Sequence, residues 1–150
     1  MTGEFLFIHS VCVPGQGDGA GVYLYPAAGG QSPQQLVSSS HVDGNVDVFL
    51  AKPSWFSDGS GFLFLGGTAD TNWRPSLLID DLSTNEISLL VPAPVGAGLY
   101  NVAVSSDTSK VVYCLHNDDG HTDLHLIDLS LASPTDIELT SDGKSCYPSF

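Results

Sequence analysis

The stretch Phe56-Ser57-Asp58-Gly59-Ser60-Gly61-Phe62-Leu63-Phe64-Leu65 has a counterpart in Val104-Ser105-Ser106-Asp107-Thr108-Ser109-Lys110-Val111-Val112-Tyr113. Asp58 and Asp107 stand about 49 residues apart, and each precedes a short β-prone apolar run. Further along, Leu78-Ile79-Asp80-Asp81-Leu82-Ser83 matches Leu126-Ile127-Asp128-Leu129-Ser130. A partial third copy lies upstream, where Phe5-Leu6-Phe7-Ile8 answers Phe62–Leu65 and Gly21-Val22-Tyr23-Leu24-Tyr25 takes the later position. Self-similarity at a fixed period is read before anything else because it sets every later assignment.

Each unit parses into four short strands. In the second unit they are expected at about Pro53–Phe56, Phe62–Leu65, Leu77–Asp80 and Ile87–Val91. The third unit gives Tyr100–Val104, Val111–Leu115, Leu124–Ile127 and Ile137–Leu139. Asp58-Gly59, Asp119-Gly120, Asp142-Gly143 and Gly29-Gly30 favour tight reversal between strands. No window sustains a helical period, and Pro33, Pro53, Pro75, Pro92, Pro94 and Pro134 interrupt most candidates. The chain is therefore read as all-β. Four strands per period of roughly 40–50 residues is the pattern of β-propeller blades, each of four antiparallel strands. A β-sandwich is the competing all-β architecture. The units fall at approximately 4–45, 46–95 and 96–145, with 146–150 as the opening strand of a further blade. This gives a partial propeller of about three blades.

Composition narrows the functional classes. The chain has 150 residues and 42% hydrophobic content, enough for one domain with a real core. Four Lys+Arg against 17 Asp+Glu give a formal net charge of −13. Lys52, Arg74, Lys110 and Lys144 are too few and scattered to neutralise a run of phosphates, so nucleic acid is not an expected partner. An anionic membrane surface is equally unfavourable, and no apolar run reaches the roughly 18–20 residues of a spanning helix. A cationic protein, a cation or a neutral ligand is compatible with the charge, as is an acidic excess that serves solubility alone. Met1-Thr2-Gly3-Glu4 places no basic residue ahead of Phe5–Ile8, so no secretion signal is visible. Cys12, Cys114 and Cys146 lack metal-type spacing, and their odd number argues against a complete disulfide framework. Cys114, inside Val111–Leu115, reads as a small buried thiol. The redox compartment stays open.

The repeat resembles the TolB-type β-propeller family. Its blades read Pro-Ser-Trp-Ser-Pro-Asp-Gly, a strand, Asp-Gly-x-x-Asp-Ile-Tyr-x-x-Asp-Leu, and a closing strand ending in Leu-Thr. Pro53-Ser54-Trp55-Phe56-Ser57-Asp58-Gly59 carries the first element, with Phe56 interrupting its register. Asp119-Gly120-His121-Thr122-Asp123-Leu124-His125-Leu126-Ile127-Asp128-Leu129 carries the second almost completely, and Glu138-Leu139-Thr140 supplies a strand end. Gly21–Gly30 resembles a variant of the same segment, whereas Asn101-Val102-Ala103-Val104 lacks the Pro-Ser-Trp element. The resemblance implies a rigid scaffold for protein or ligand binding, and its best-known scaffolds are periplasmic. It also extends to oligogalacturonate lyases and to the gating propellers of prolyl oligopeptidase-like peptidases, so fold does not decide function here. Three blades fall short of the four to eight of a ring. The expectation is a segment of a longer protein; the alternative is self-association of two copies into a six-bladed ring.

The densest chemistry is His116-Asn117-Asp118-Asp119-Gly120-His121-Thr122-Asp123-Leu124-His125. His116, His121 and His125 are weak metal candidates. A strand context separates such side chains, and Asp and Asn at a hairpin turn explain the run without a metal. Asp80, Asp81 and Asp128 are expected to end the third strands and either to terminate pairing or to cap the turns that follow. Trp55 is expected to pack between blades. Trp73 and Arg74, in a hairpin connection, are candidates for exposed contact, since aromatic and Arg residues dominate binding hot spots. With Asp119 and His121 they form the expected binding set. No Gly-x-Ser-x-Gly elbow is present, and Gly15-x-Gly17-x-Gly19-x-Gly21 leads into a strand, so no catalytic residue and no cofactor is assigned.

Overall fold

The computed structural model describes residues 4–9, 21–26, 30–38, 47–48, 53–131 and 134–150. Among the described residues twelve strands form three antiparallel sheets, none closed into a ring. The first sheet holds β1 (Glu4–His9), β2 (Gly21–Pro26) and β3 (Gln34–Ser38) in that order. The second holds β6 (Gly61–Gly67), β7 (Ser76–Asp81) and β8 (Glu86–Val91). One edge is divided between β4 (Asp47–Val48) and β5 (Ser54–Trp55), which both pair with β6. The third runs β9 (Ala97–Val104), β10 (Lys110–Asn117), β11 (Thr122–Asp128) and β12 (Asp136–Glu138). The architecture is all-β and propeller-like, as the turn spacing implied. Among the described residues no helix is long and apolar enough to cross a membrane.

Strand β6 explains how the sheets stack. All seven of its residues are buried, which an antiparallel strand achieves only when both faces of its sheet are covered. Side chains alternate between faces, so Phe62 and Phe64 pack with Leu78 against Val22 and Val37 of the first sheet. Leu63 and Leu65 point the other way and pack with Leu77 and Val91 against Leu99, Val111, Tyr113 and Ile127 of the third. Each such side chain contributes about 1.5–3 kcal/mol when fully buried. Trp55 packs at the first of these interfaces, edge-on to Phe62 at 5.7 Å.

The repeated turn is the same object twice. Gly59 N–H donates to the Phe56 carbonyl and Phe56 N–H to Gly61, while Thr108 donates to Ser105 and Ser105 to Lys110. Gly59 sits at φ 75° and Thr108 at φ 60°. A β-branched residue is strained in that left-handed region. Thr108 uses its side chain in return: its hydroxyl accepts the Ser57 N–H of the neighbouring sheet at 2.7 Å.

Three sequence expectations are corrected. Cys114 is not a free buried thiol; it is disulfide-bonded to Cys146, their Cα atoms 5.1 Å apart. That separation is ordinary for a bridge, and an odd cysteine count leaves room for one pair. Asp80 does not cap a turn, because it shares the inward face with Leu78 and is 5% exposed. Leu139 lies past the end of β12, which is Asp136–Glu138. Residues 146–150 form no strand pairing; Lys144 alone bridges to Thr122, and the disulfide then ties the segment to β10. Cys12, Gly29 and the loop of Gly15, Gly17 and Gly19 lie outside the described residues.

Candidate functional site

Two hairpin connections, β6–β7 and β10–β11, emerge at the same end of the arc. In the first, Thr68 begins a short 3-10 turn, Ala69–Thr71, closed by Asn72 in the left-handed region. Trp73 is left-handed as well, at φ 59°. Its backbone presses on Gly67, where a Cβ would lie 2.7 Å from the Trp73 carbonyl carbon, so glycine is required. Arg74 follows, half-buried, and donates from Nη1 to the Ala97 carbonyl at 3.1 Å. Its Nη2 lies 3.7 Å from Asp118 Oδ2 in the second connection. Two main-chain bonds join the same corner: Leu99 N–H to the Pro75 carbonyl at 2.7 Å, and Asp118 N–H to Gly96 at 2.7 Å. Arg74 is thus a tie between neighbouring sheets, and neither Trp73 nor Arg74 is as exposed as its loop position suggested.

In the second connection Asp119 and His121 are exposed and paired with each other. The His121 N–H donates to Asp119 Oδ1 at 3.0 Å, and the ring Nδ1 lies 3.2 Å from Oδ2. Asp123, two residues on, accepts from the Gly143 N–H at 3.0 Å and fastens the chain after β12 to the hairpin. The fold therefore brings Arg74 to the Asp118–His121 turn, with Trp73 beside it in sequence.

The three candidate metal histidines do not converge. His125 lies opposite Tyr113 in the β10–β11 register, and His116 lies opposite Thr122, so the alternation puts them on opposite faces. His125 Nδ1 is 3.1 Å from both carboxylate oxygens of Asp136, and its ring stacks on Tyr113 at 5.5 Å. Burial, and then the Asp136 charge, pushes the Tyr113 hydroxyl well above its usual pKa. His116 meets Tyr100 edge-on at 5.7 Å. Among the described residues no group of three or more His, Cys, Asp or Glu is placed to hold a metal.

Other aspartates serve the turns. Asp81 accepts the Ser83 N–H and hydroxyl, and Asp128 does the same for Ser130, as their strand-end positions suggested. Hydrogen bonds to the ionised form lower a carboxyl pKa. Asp107 is lowered to about 2, by the Ser105 hydroxyl first and then the Ser109 N–H and hydroxyl.

No family model matches the sequence, and no curated protein matches it. Among solved structures, TolB from Acinetobacter baumannii superposes with a TM-score of 0.58 at 20% identity, over 81% of this chain and 27% of that one. The fold is that of a TolB-like β-propeller, present as an open arc. A TolB-type protein from Agrobacterium tumefaciens aligns with a TM-score of 0.46 at 13% identity, over 80% of this chain and 57% of that one. The arc spans about a quarter of the length of the Acinetobacter TolB. Within the TolB-like arc, sequence reasoning missed Asp118 as the partner of Arg74, the bridge between Cys114 and Cys146, and the buried Asp80. Only the last carried a readable signal: in Leu78-x-Asp80 the aspartate falls on the apolar side of the alternation.

Proposed function

We propose that this chain is a non-catalytic scaffold, an arc of a longer TolB-like propeller whose loops bind a protein or a small ligand. The observation that carries this reading is the gathering of two hairpin connections from adjacent sheets at one end, held by Arg74 between Ala97 and Asp118. Variable loops on a rigid frame are the usual seat of binding. Trp73, Arg74, Asp119 and His121 form the contact set, with Asp118 positioning Arg74. The blade units are 4–45, 46–95 and 96–145, and 146–150 opens a further blade. The oxidised pair Cys114–Cys146 favours an oxidising compartment, the periplasm for a TolB-like scaffold.

Melting the protein with zinc, manganese or calcium, with and without oligogalacturonate, tests the reading against a lyase. No metal is expected to raise the midpoint, and no unsaturated uronide is expected to form. A metal-dependent rise abolished by His121→Ala, or product formation, overturns the scaffold reading. Light scattering over a dilution series separates an arc, monomeric throughout, from a two-copy ring, a stable dimer.

A further inference from the structure

Between β3 of the first sheet and the β7–β8 pair of the second runs a groove of about 650 Å³, which reaches Thr68 and Asp70 of the β6–β7 connection but is lined by none of Trp73, Arg74, Asp119 and His121. One wall is β3, through Leu36 and Val37. The other is the β7–β8 pair, through Leu78, Ile87 and Leu89. Ile87 and Leu89 are 40% and 39% exposed, because the first sheet does not close over them. In the register Ile87 lies opposite Asp80 and Leu89 opposite Leu78, so all four side chains share the groove face.

Asp80 is the unusual member. It is more than nine-tenths buried and lines the groove, yet among the described residues no donor reaches its carboxylate. Among the described residues no side-chain oxygen is fully sealed off without a partner, so the Asp80 carboxylate keeps a little exposure, and the groove is the open space that Asp80 lines. Asp70 adds a second carboxylate, and Asn85, Thr68 and Ser38 add neutral polar groups. None of the described lining residues is Lys, Arg or His. Burial, and then the neighbouring Asp81 charge, raises the Asp80 pKa, as expected for a carboxylate without a counter-charge.

A largely desolvated carboxylate without a donor, set in an apolar trough, is complementary to one ligand chemistry. We propose that the groove binds an organic cation with an apolar body, its ammonium or guanidinium group on Asp80 and its hydrocarbon along Leu78, Ile87 and Leu89. Such a head comes from a free amine or from the lysine or arginine of a partner protein. Charge-assisted hydrogen bonds are the strong ones, and here the bond forms where water is largely displaced. The net charge of −13 adds long-range attraction for cations.

The test is calorimetric titration of the oxidised protein with hexylammonium, with hexanol and ammonium ion as the separated halves. Hexylammonium is expected to bind saturably at one site, and each half at least tenfold more weakly. Asp80→Asn keeps the shape, removes the charge and is expected to weaken hexylammonium at least tenfold. Glu138→Gln, the same charge change on the third sheet, is expected to leave binding unchanged. Leu89→Ala, at an exposed wall position, is expected to weaken it several-fold. Acetyl-Leu-Lys-Leu-amide distinguishes the sources: tighter binding than hexylammonium assigns the groove to a partner protein, and weaker binding assigns it to a free amine. Equal affinity of hexylammonium for wild type and Asp80→Asn overturns the proposal, as does equal loss in Glu138→Gln.

Discussion

Replacing Cys146 by serine isolates what the disulfide contributes. Cys146 is the better position to change, because Cys114 is fully buried and a serine there would bury a hydroxyl. The bridge closes a loop with a sequence separation of 32. The chain-entropy relation gives about 3.7 kcal/mol for a loop of that length, within the usual range for native bridges. For a domain of this size that lowers the melting midpoint by roughly 7–15 °C. The assay is urea unfolding of Cys146→Ser and of wild type with and without a reductant. Reduced wild type and the variant are expected to coincide, both shifted to lower urea, with a steeper slope if the unlinked denatured chain expands. Equal midpoints for oxidised wild type and variant would refute the reasoning, as would two free thiols at these positions in the oxidised protein.

Asp80 has a raised pKa, so protonation favours the folded state, and stability falls as pH rises from the ordinary carboxylate value through the folded one. Asp80→Asn is therefore expected to raise the urea midpoint at pH 7 and to change nothing below about pH 3. Asp107 is the opposite case: its stabilisation is present above the unfolded value of 3.8 and is lost as pH falls toward about 2. Carbon-detected titration should show the Asp107 midpoint moving up when Ser105 or Ser109 becomes alanine. Thr108→Val keeps the strained backbone but loses the acceptor for Ser57 N–H, and is expected to cost about 1 kcal/mol in urea unfolding. Leu65→Ala opens a cavity between the second and third sheets, and is expected to cost about 2–5 kcal/mol by the same measurement.

Strand positions were legible because two local signals coincided: apolar β-prone runs, and Asp-Gly or Asp-x-Ser turns whose hydrogen bonds close within two or three residues. Those bonds need nothing from the rest of the molecule. Strand β3 was not assigned from the sequence, and β4 was missed because two residues carry no period. The Cys114–Cys146 pair, the Arg74–Asp118 tie and the open groove beside Asp80 were hidden for one shared reason. Each depends on how a segment packs on a neighbour, and the spacing of residues along the chain does not encode it. The histidine-rich run shows the converse, since closeness in sequence placed His116 and His125 on opposite faces.

Each sheet is built from one uninterrupted stretch of chain, and the bonds between the second and third sheets cluster at their corners and shared apolar face. Copying a stretch of about fifty residues in tandem therefore adds a complete sheet and repeats an existing joint, without rerouting any strand already present. The same economy lets surface loops diverge copy by copy while the joint stays fixed. Trp73 and Arg74 in the second sheet, and Asp119 and His121 in the third, stand in the corresponding hairpin connections, β6–β7 and β10–β11.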